Sequence, residues 1–181
     1  MKRTLVFFAS LALAATLPAV AALDVGAKAP MFSAQATLGG NVFNFDLASA
    51  LKQGPVVLYF YPAAFTKGCT IEAHEFAAAI DDYKKLGATV IGVSHDNIDT
   101  LNKFSVSDCR KKFPVAADTE LKVAKSYDAV LADHPQFANR TSYVIAPDGT
   151  IIYTYTDLNP EKHVENTLAA LRAWKEKQGN H

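Results

Sequence analysis

Little in this 181-residue chain is in excess: basic and acidic side chains are equal at 18 each, and only two cysteines are present. The missing basic surplus argues against a protein that works by covering a nucleic-acid phosphate backbone, because such a domain carries a strong positive bias, and no basic stripe occurs anywhere. Nine glycines and eight prolines, without low-complexity tract, Ser/Gly linker or repeat, exclude a collagen, a disordered tail and a repeat array, and leave no sign of an internal domain boundary. Neither a phosphate-cradling glycine loop nor a clustered metal-ligand set is found. What remains is apolar. Half the residues are hydrophobic and a tenth aromatic, the profile of one ordinary globular domain.

Long uncharged runs are scarce too. One extends from Leu5 to Ala22 behind Lys2 and Arg3, and ends in Ala19-Val20-Ala21-Ala22, the n-region, h-region and cleavage site of a secretory signal. Its 18 residues sit at the lower limit for a spanning helix, so an uncleaved anchor is the alternative, against which Pro18 and the small-residue ending weigh. The expectation is a signal peptide over 1–22 and one mature domain over 23–181, exported to a bacterial periplasm and without stable membrane association after cleavage. Loss of Lys2 and Arg3 leaves that domain with a formal charge of −2. Outside a reducing cytoplasm, Cys69 and Cys109 are candidates for a bridge, which would stabilise the fold by about 4 kcal/mol in the chain-entropy model. A permanent staple and a reactive pair are both open on this evidence.

Periodicity orders the mature chain. Residues 32–37 and 42–45 flank Gly39-Gly40-Asn41 as an N-terminal hairpin. Val56 to Tyr61 is a continuous run of β-formers, expected of a strand buried on both faces and ended by Pro62. From Gly68 the spacing of Ala73, Phe76, Ala77, Ile80 and Tyr83 predicts a helix stopping near Gly87, with Cys69 on the face of Ala73. Residues 88–94 form a second buried strand, and Asn97 to Lys112 a weaker helix carrying Cys109. Residues 141–146 and 150–155 enclose Pro147-Asp148-Gly149 as a second hairpin, after which Pro160 opens a helix through Val164, Leu168, Leu171 and Trp174. A parallel βαβ unit, an antiparallel hairpin and a terminal helix make an α/β protein similar to the thioredoxin-like fold, with a central mixed sheet flanked by helices.

In an open α/β sheet, ligands collect at the carboxyl ends of the parallel strands, and Cys69 falls there, at the start of a helix. Unpaired N–H groups and the helix dipole are expected to lower its pKa below the ~8.5 of a free thiol. Pro62-Ala63-Ala64-Phe65-Thr66-Lys67-Gly68-Cys69 places a hydroxyl three residues before the sulfur, on a turn where Gly68 admits close backbone approach. This P-x-x-x-T-x-x-C run resembles the active-site signature of the peroxiredoxins. The wider matches Phe60-Tyr61-Pro62 through Gly68-Cys69-Thr70-Ile71-Glu72, Lys112 to Asp118, Val123 to Tyr127 and Arg140 to Gly149 look most like their bacterioferritin-comigratory, or Q-type, branch.

The resemblance implies a thiol peroxidase with no metal, haem or flavin. Cys69 would be the peroxidatic nucleophile, Thr66 would hydrogen-bond the peroxide, and Arg140 would support thiolate and transition state with the N–H groups of Gly68 and Cys69. Glu72 would orient Arg140, and Pro62 would shield the sulfur. Many Q-type members carry a resolving cysteine five residues after the first; here that residue is His74, read as solvated or partly packed. A subset keeps it on the second helix, where Cys109 stands, so a Cys69–Cys109 disulfide is implied as the resolved state. The partners implied are a hydroperoxide and an external thiol reductant, either a thioredoxin-like protein or a small thiol, acting on a monomer or weak dimer. The competing readings are a thiol–disulfide oxidoreductase, disfavoured by the lack of a C-x-x-C pair, and a non-catalytic envelope binding or chaperone-like domain stapled by Cys69 and Cys109.

Overall fold

The computed structural model describes residues 22–179; all of the expected signal segment except Ala22 lies outside them. Seven strands form one mixed sheet in the order β2-β1-β5-β4-β3-β6-β7. The hairpin β1 (Ser33–Leu38) and β2 (Asn41–Asp46) forms one edge, and β6 (Thr141–Ile145) with β7 (Ile151–Thr156) the other. Between them β3 (Val56–Phe60), β4 (Thr89–Ser94) and β5 (Val115–Ala117) run parallel, linked by α2 (Lys67–Lys85) and α3 (Ile98–Ser107). Two short helices, α1 (Leu47–Leu51) and α4 (Lys122–Ser126), a 3-10 turn at Pro160–Lys162 and the terminal α5 (His163–Gly179) complete the described residues.

Every residue of β3 is buried, because each face of the sheet has its own core. Val56, Leu58 and Phe60 point toward α1, α4 and the N-terminal hairpin, while Val57, Tyr59 and the following Tyr61 point toward α2, α3 and α5. The second layer decides where the site lies. Tyr59 stacks on Phe76 of α2 with centroids 4.3 Å apart, and Tyr61 stacks beside Phe104 of α3 at 5.7 Å. Gly92 on β4 makes room for this, since a Cβ there would meet the Tyr59 ring at 2.7 Å. Each large aromatic so buried contributes on the order of 1.5–3 kcal/mol, enough to clamp α2 against the end of β3.

The helix α3 ends at Ser107, five residues short of the Lys112 expected from sequence. Cys109 therefore lies not on a helix but in the turn that follows, ahead of Arg110 and Lys111, which adopt left-handed φ of 51° and 58°. The cause is local: Ser105 is buried and its hydroxyl meets the Thr37 carbonyl and the Gly39 amide, tying the helix end to the hairpin and turning the chain inward.

Candidate active site

The buried stripe of α2 comprises Cys69, Glu72, Ala73, Phe76, Ala77, Ile80 and Tyr83. Its first two members are polar, so the helix carries reactive groups at its N-terminal end on the face that packs against the sheet. The approach to that end is held in place by β4. The Pro62 carbonyl accepts from His95 Nδ1 at 2.8 Å, and the Ala64 N–H donates to Asp96 Oδ2 at 2.8 Å, a carboxylate that also takes the Ser94 hydroxyl at 2.7 Å. His95 and Asp96 thus fix the loop. Phe65 beyond them has φ 65°, a costly backbone state for an aromatic residue that persists because both flanks are tied.

Thr66 occupies the N-cap but makes no side-chain cap bond. Its hydroxyl donates to the Ala63 carbonyl at 3.0 Å, which commits the proton and leaves the oxygen lone pairs free to accept. The first intrahelical bond runs from the Thr70 N–H to the Thr66 carbonyl at 2.9 Å, so the amides of residues 67–69 have no acceptor within the helix. Those open N–H groups, with the positive end of the dipole, meet any negative charge placed at the Cys69 sulfur.

Arg140 arrives from the other side. Antiparallel pairing sets Thr141 opposite Phe60, which puts Arg140 beside the carboxyl end of β3. The side chain is 4 % exposed and each of its three nitrogens donates once: Nε gives to the Leu158 carbonyl at 2.9 Å, Nη1 to Glu72 Oε2, and Nη2 to Cys69 Sγ at 3.4 Å. Burial alone would lower the guanidinium pKa, but Glu72 and Cys69 outweigh it and hold Arg140 above its ordinary value. Gly68 permits the approach: a Cβ there would stand 3.0 Å from Nη2. Gly68→Ala is expected to leave stability unchanged or slightly raised, since alanine is the better helix former by about 0.5–1 kcal/mol. The same change should slow the oxidation of Cys69 by about tenfold, because a small displacement of a catalytic donor carries a large rate cost. Thermal unfolding and single-turnover kinetics on one variant check both halves.

Glu72 is fully buried and paired with Arg140. Burial pushes its carboxyl up to about 8 despite the pull of Arg140. Beyond it lies a residue that sequence reading passed over. His163 is buried at the start of α5, with Nε2 2.8 Å from the Asp157 carbonyl and Nδ1 2.8 Å from the Ser142 hydroxyl. A carbonyl only accepts, so the proton sits on Nε2. Burial pushes the imidazole down to about 4, which keeps it neutral. A sequence signal existed: His163 stands four and eight residues before Thr167 and Leu171, on the inward face of α5.

Cys109 is buried in the same core layer as Cys69, and burial raises its thiol. Both cysteines are free in this state. His74 stands half-exposed on α2, its Nε2 3.7 Å from the Asp108 carboxylate beside Cys109. Pro62 is half-buried at the head of the pinned loop. Volume does not mark the site: a hollow of about 570 Å³ lined by Ala146, Pro147, Ile152 and Trp174 lies at the opposite end of β6, without cysteine, histidine or arginine.

Comparison with known proteins agrees with this geometry. Residues 25–154 match the model of the AhpC/TSA family. A chloroplastic peroxiredoxin Q of Triticum aestivum is 37% identical over 125 residues, which are 68% of this chain and 57% of the relative. The chain thus spans little more than half the length of that plant protein. A putative peroxiredoxin bcp of Helicobacter pylori is 31% identical over 154 residues, 82% of this chain and 98% of the relative. Among solved structures, peroxidoxin BcpB of Mycobacterium tuberculosis superposes with a TM-score of 0.75 at 29% identity, covering 82% of this chain and 96% of that one. The cysteine at a helix start, the arginine before β6 and strands β1 to β6 lie within the matched segment, and the chain belongs to the AhpC/TSA family, beside its peroxiredoxin Q and bcp members.

Proposed function

We propose that the protein is a thiol-dependent peroxidase whose nucleophile is Cys69. The observation that carries the reading is the Arg140 guanidinium donating to a buried cysteine sulfur at the open N-terminus of α2. The Cys69 thiolate attacks one oxygen of a hydroperoxide, forming an S–O bond as the O–O bond breaks. The other oxygen leaves as hydroxide or alkoxide and takes a proton from water. Arg140 and the amides of residues 67–69 donate to the charge that develops, at no cost in reorganisation. Thr66, its own proton held by Ala63, accepts the hydroperoxide O–H and so orients the substrate. Pro62 limits water access to the sulfur, and Glu72 orients Arg140. Hydrogen peroxide and organic hydroperoxides are the substrate class.

The sulfenic acid then condenses with the Cys109 thiol, releasing water and leaving a Cys69–Cys109 disulfide, which an external thioredoxin-like protein or small thiol reduces. Because Cys109 is fully buried, this step needs the turn after α3 to open. The sequence over 1–22 supports a cleaved leader and work in the periplasm, and the resemblance to the Q-type branch supports a monomer or weak dimer. Leu23 fits a domain start there: its N–H meets the Tyr143 hydroxyl and its carbonyl accepts from Thr154.

Treating the reduced protein with one equivalent of peroxide and reading intact and peptide masses tests the scheme. The wild type is expected to lose two hydrogens as a Cys69–Cys109 disulfide. Cys109→Ser is expected to stop at a trappable Cys69 sulfenic acid with an unchanged first step and little recycling. Thiols untouched by peroxide, or a bridge that resists mild dithiol reductant, would favour the stapled binding domain instead.

A further inference from the structure

Three buried side-chain atoms among the described residues have no hydrogen-bond partner: Glu72 Oε1, whose carboxylate is held by Arg140 through its other oxygen, and the hydroxyls of Tyr59 and Tyr61. Tyr61 has the Ser94 hydroxyl for a neighbour, whereas for Tyr59 the described residues supply none. The sheet sets where that second hydroxyl points. Tyr59 pairs with Gly92 across β3 and β4, and the end of its ring lies over that glycine: a Cβ there would meet the ring at 2.7 Å and the hydroxyl at 2.8 Å. Gly92 in turn pairs with Val115 of β5 and donates its N–H to the Pro114 carbonyl at 3.1 Å. The Tyr59 hydroxyl therefore lies under the segment that leads into β5. Phe113 of that segment meets the Tyr59 ring edge-on with centroids 6.1 Å apart, and Cys109 is the ionisable group that bears on Tyr59 most strongly.

This segment is the turn that buries Cys109, and it carries a cost of its own. Arg110 and Lys111 both hold left-handed φ, 51° and 58°, without being glycine. Local bonds keep the turn shut: the Phe104 carbonyl takes the amides of Asp108 and Cys109 at 2.9 and 3.0 Å, and the Ser105 carbonyl that of Lys111 at 2.9 Å. From α2 only His74 reaches it with a charged or polar side chain among the described residues, 3.7 Å from Asp108.

We propose that the Tyr59 hydroxyl is a built-in opener of this turn: without a partner while the turn is closed and hydrated once it lifts, it raises the closed state relative to the open one and hastens the meeting of Cys109 with Cys69. A hydroxyl buried without its hydrogen bond shifts a two-state equilibrium by about tenfold, and the penalty vanishes when water reaches it. Phenylalanine would fill the same space, stacked on Phe76 and fitted over Gly92, with no such penalty. The oxygen thus works against the packing that its own ring supplies. Opening is the step on which resolution depends, because the S–S bond forms, as water leaves the Cys69 sulfenic acid, only when the two sulfurs can touch.

The inference deepens the reading of Cys109 as the resolving cysteine and rests on it. Tyr59→Phe removes only the oxygen. In reduced Tyr59→Phe, the amides of residues 108–113 should exchange hydrogen about tenfold more slowly than in the wild type, read by mass spectrometry. After one equivalent of hydrogen peroxide and rapid quenching, the rate of Cys69 oxidation should be unchanged. The Cys69–Cys109 disulfide should then form about tenfold more slowly, so that sulfenic acid accumulates and a second equivalent of peroxide carries more of it to sulfinic acid. Exchange that is unchanged or faster in Tyr59→Phe, or a disulfide that forms at the wild-type rate, overturns the role of the hydroxyl alone. A wild-type protein whose Cys69 oxidises without ever bonding to Cys109 overturns the resolving scheme, and this inference with it.

Discussion

Cys69→Ser is expected to bring peroxide consumption under a dithiol reductant down to the buffer background, a loss of at least about a thousandfold. A serine hydroxyl stays protonated at neutral pH where a thiol ionises readily, and its oxygen does not cleave an O–O bond to give a species that a thiol can recycle. The fold should survive. Cys69 is buried, serine is slightly smaller than cysteine, and Arg140 Nη2 offers the new hydroxyl a hydrogen-bond partner in place of Sγ. The assay follows peroxide remaining after addition of reduced protein and dithiol, with circular dichroism on the same samples. Turnover retained in a folded Cys69→Ser would move the chemistry elsewhere, and Cys109, buried and with its thiol raised, would be a poor place for it.

The elements legible in the sequence were those whose pattern is set within one segment. The β-former run before Pro62, the stripe along α2 and both hairpins follow from side-chain periodicity and turn residues, and all four appear where expected. The Glu72–Arg140 contact was reachable only through the resemblance, which implies that this glutamate orients the arginine. What escaped depends on partners distant in sequence. Strand β5 has three residues, too few for a period, and exists because β4 and β1 flank it. Helix α4 follows Leu121 at φ 55° and is capped from outside, by the Asp118 carboxylate on the amides of Val123 and Ala124. The early end of α3 is imposed by Ser105 reaching into the β1–β2 hairpin. His163 belongs to the site only because α5 packs across α2, a contact no local pattern announces.

Arg140→Met should slow Cys69 oxidation by about 10²–10³-fold, the usual cost of removing one preorganised donor from a developing oxyanion. Methionine fills the stem of the pocket but abandons three acceptors at once: the sulfur, Glu72 Oε2 and the Leu158 carbonyl. Breaking a buried ion pair from one side costs about 3–5 kcal/mol when the remaining charge is stranded. Glu72 has an escape, since burial already pushes it up to about 8 and without Arg140 it takes a proton and is buried neutral. The measured destabilisation should therefore fall below that range at pH 6 and grow toward pH 9, as the proton becomes harder to hold. Adding Glu72→Gln removes the stranded charge, so the double variant should regain most of the lost stability and flatten its pH dependence while the oxidation rate stays as low as in Arg140→Met. Recovery of both together would make Arg140 a structural counter-ion to Glu72, and recovery of stability alone assigns its Nη2 to the reaction at sulfur. Arg140→Lys should not restore the rate, because one ammonium cannot hold Leu158, Glu72 and Cys69 in the directions a planar guanidinium reaches simultaneously.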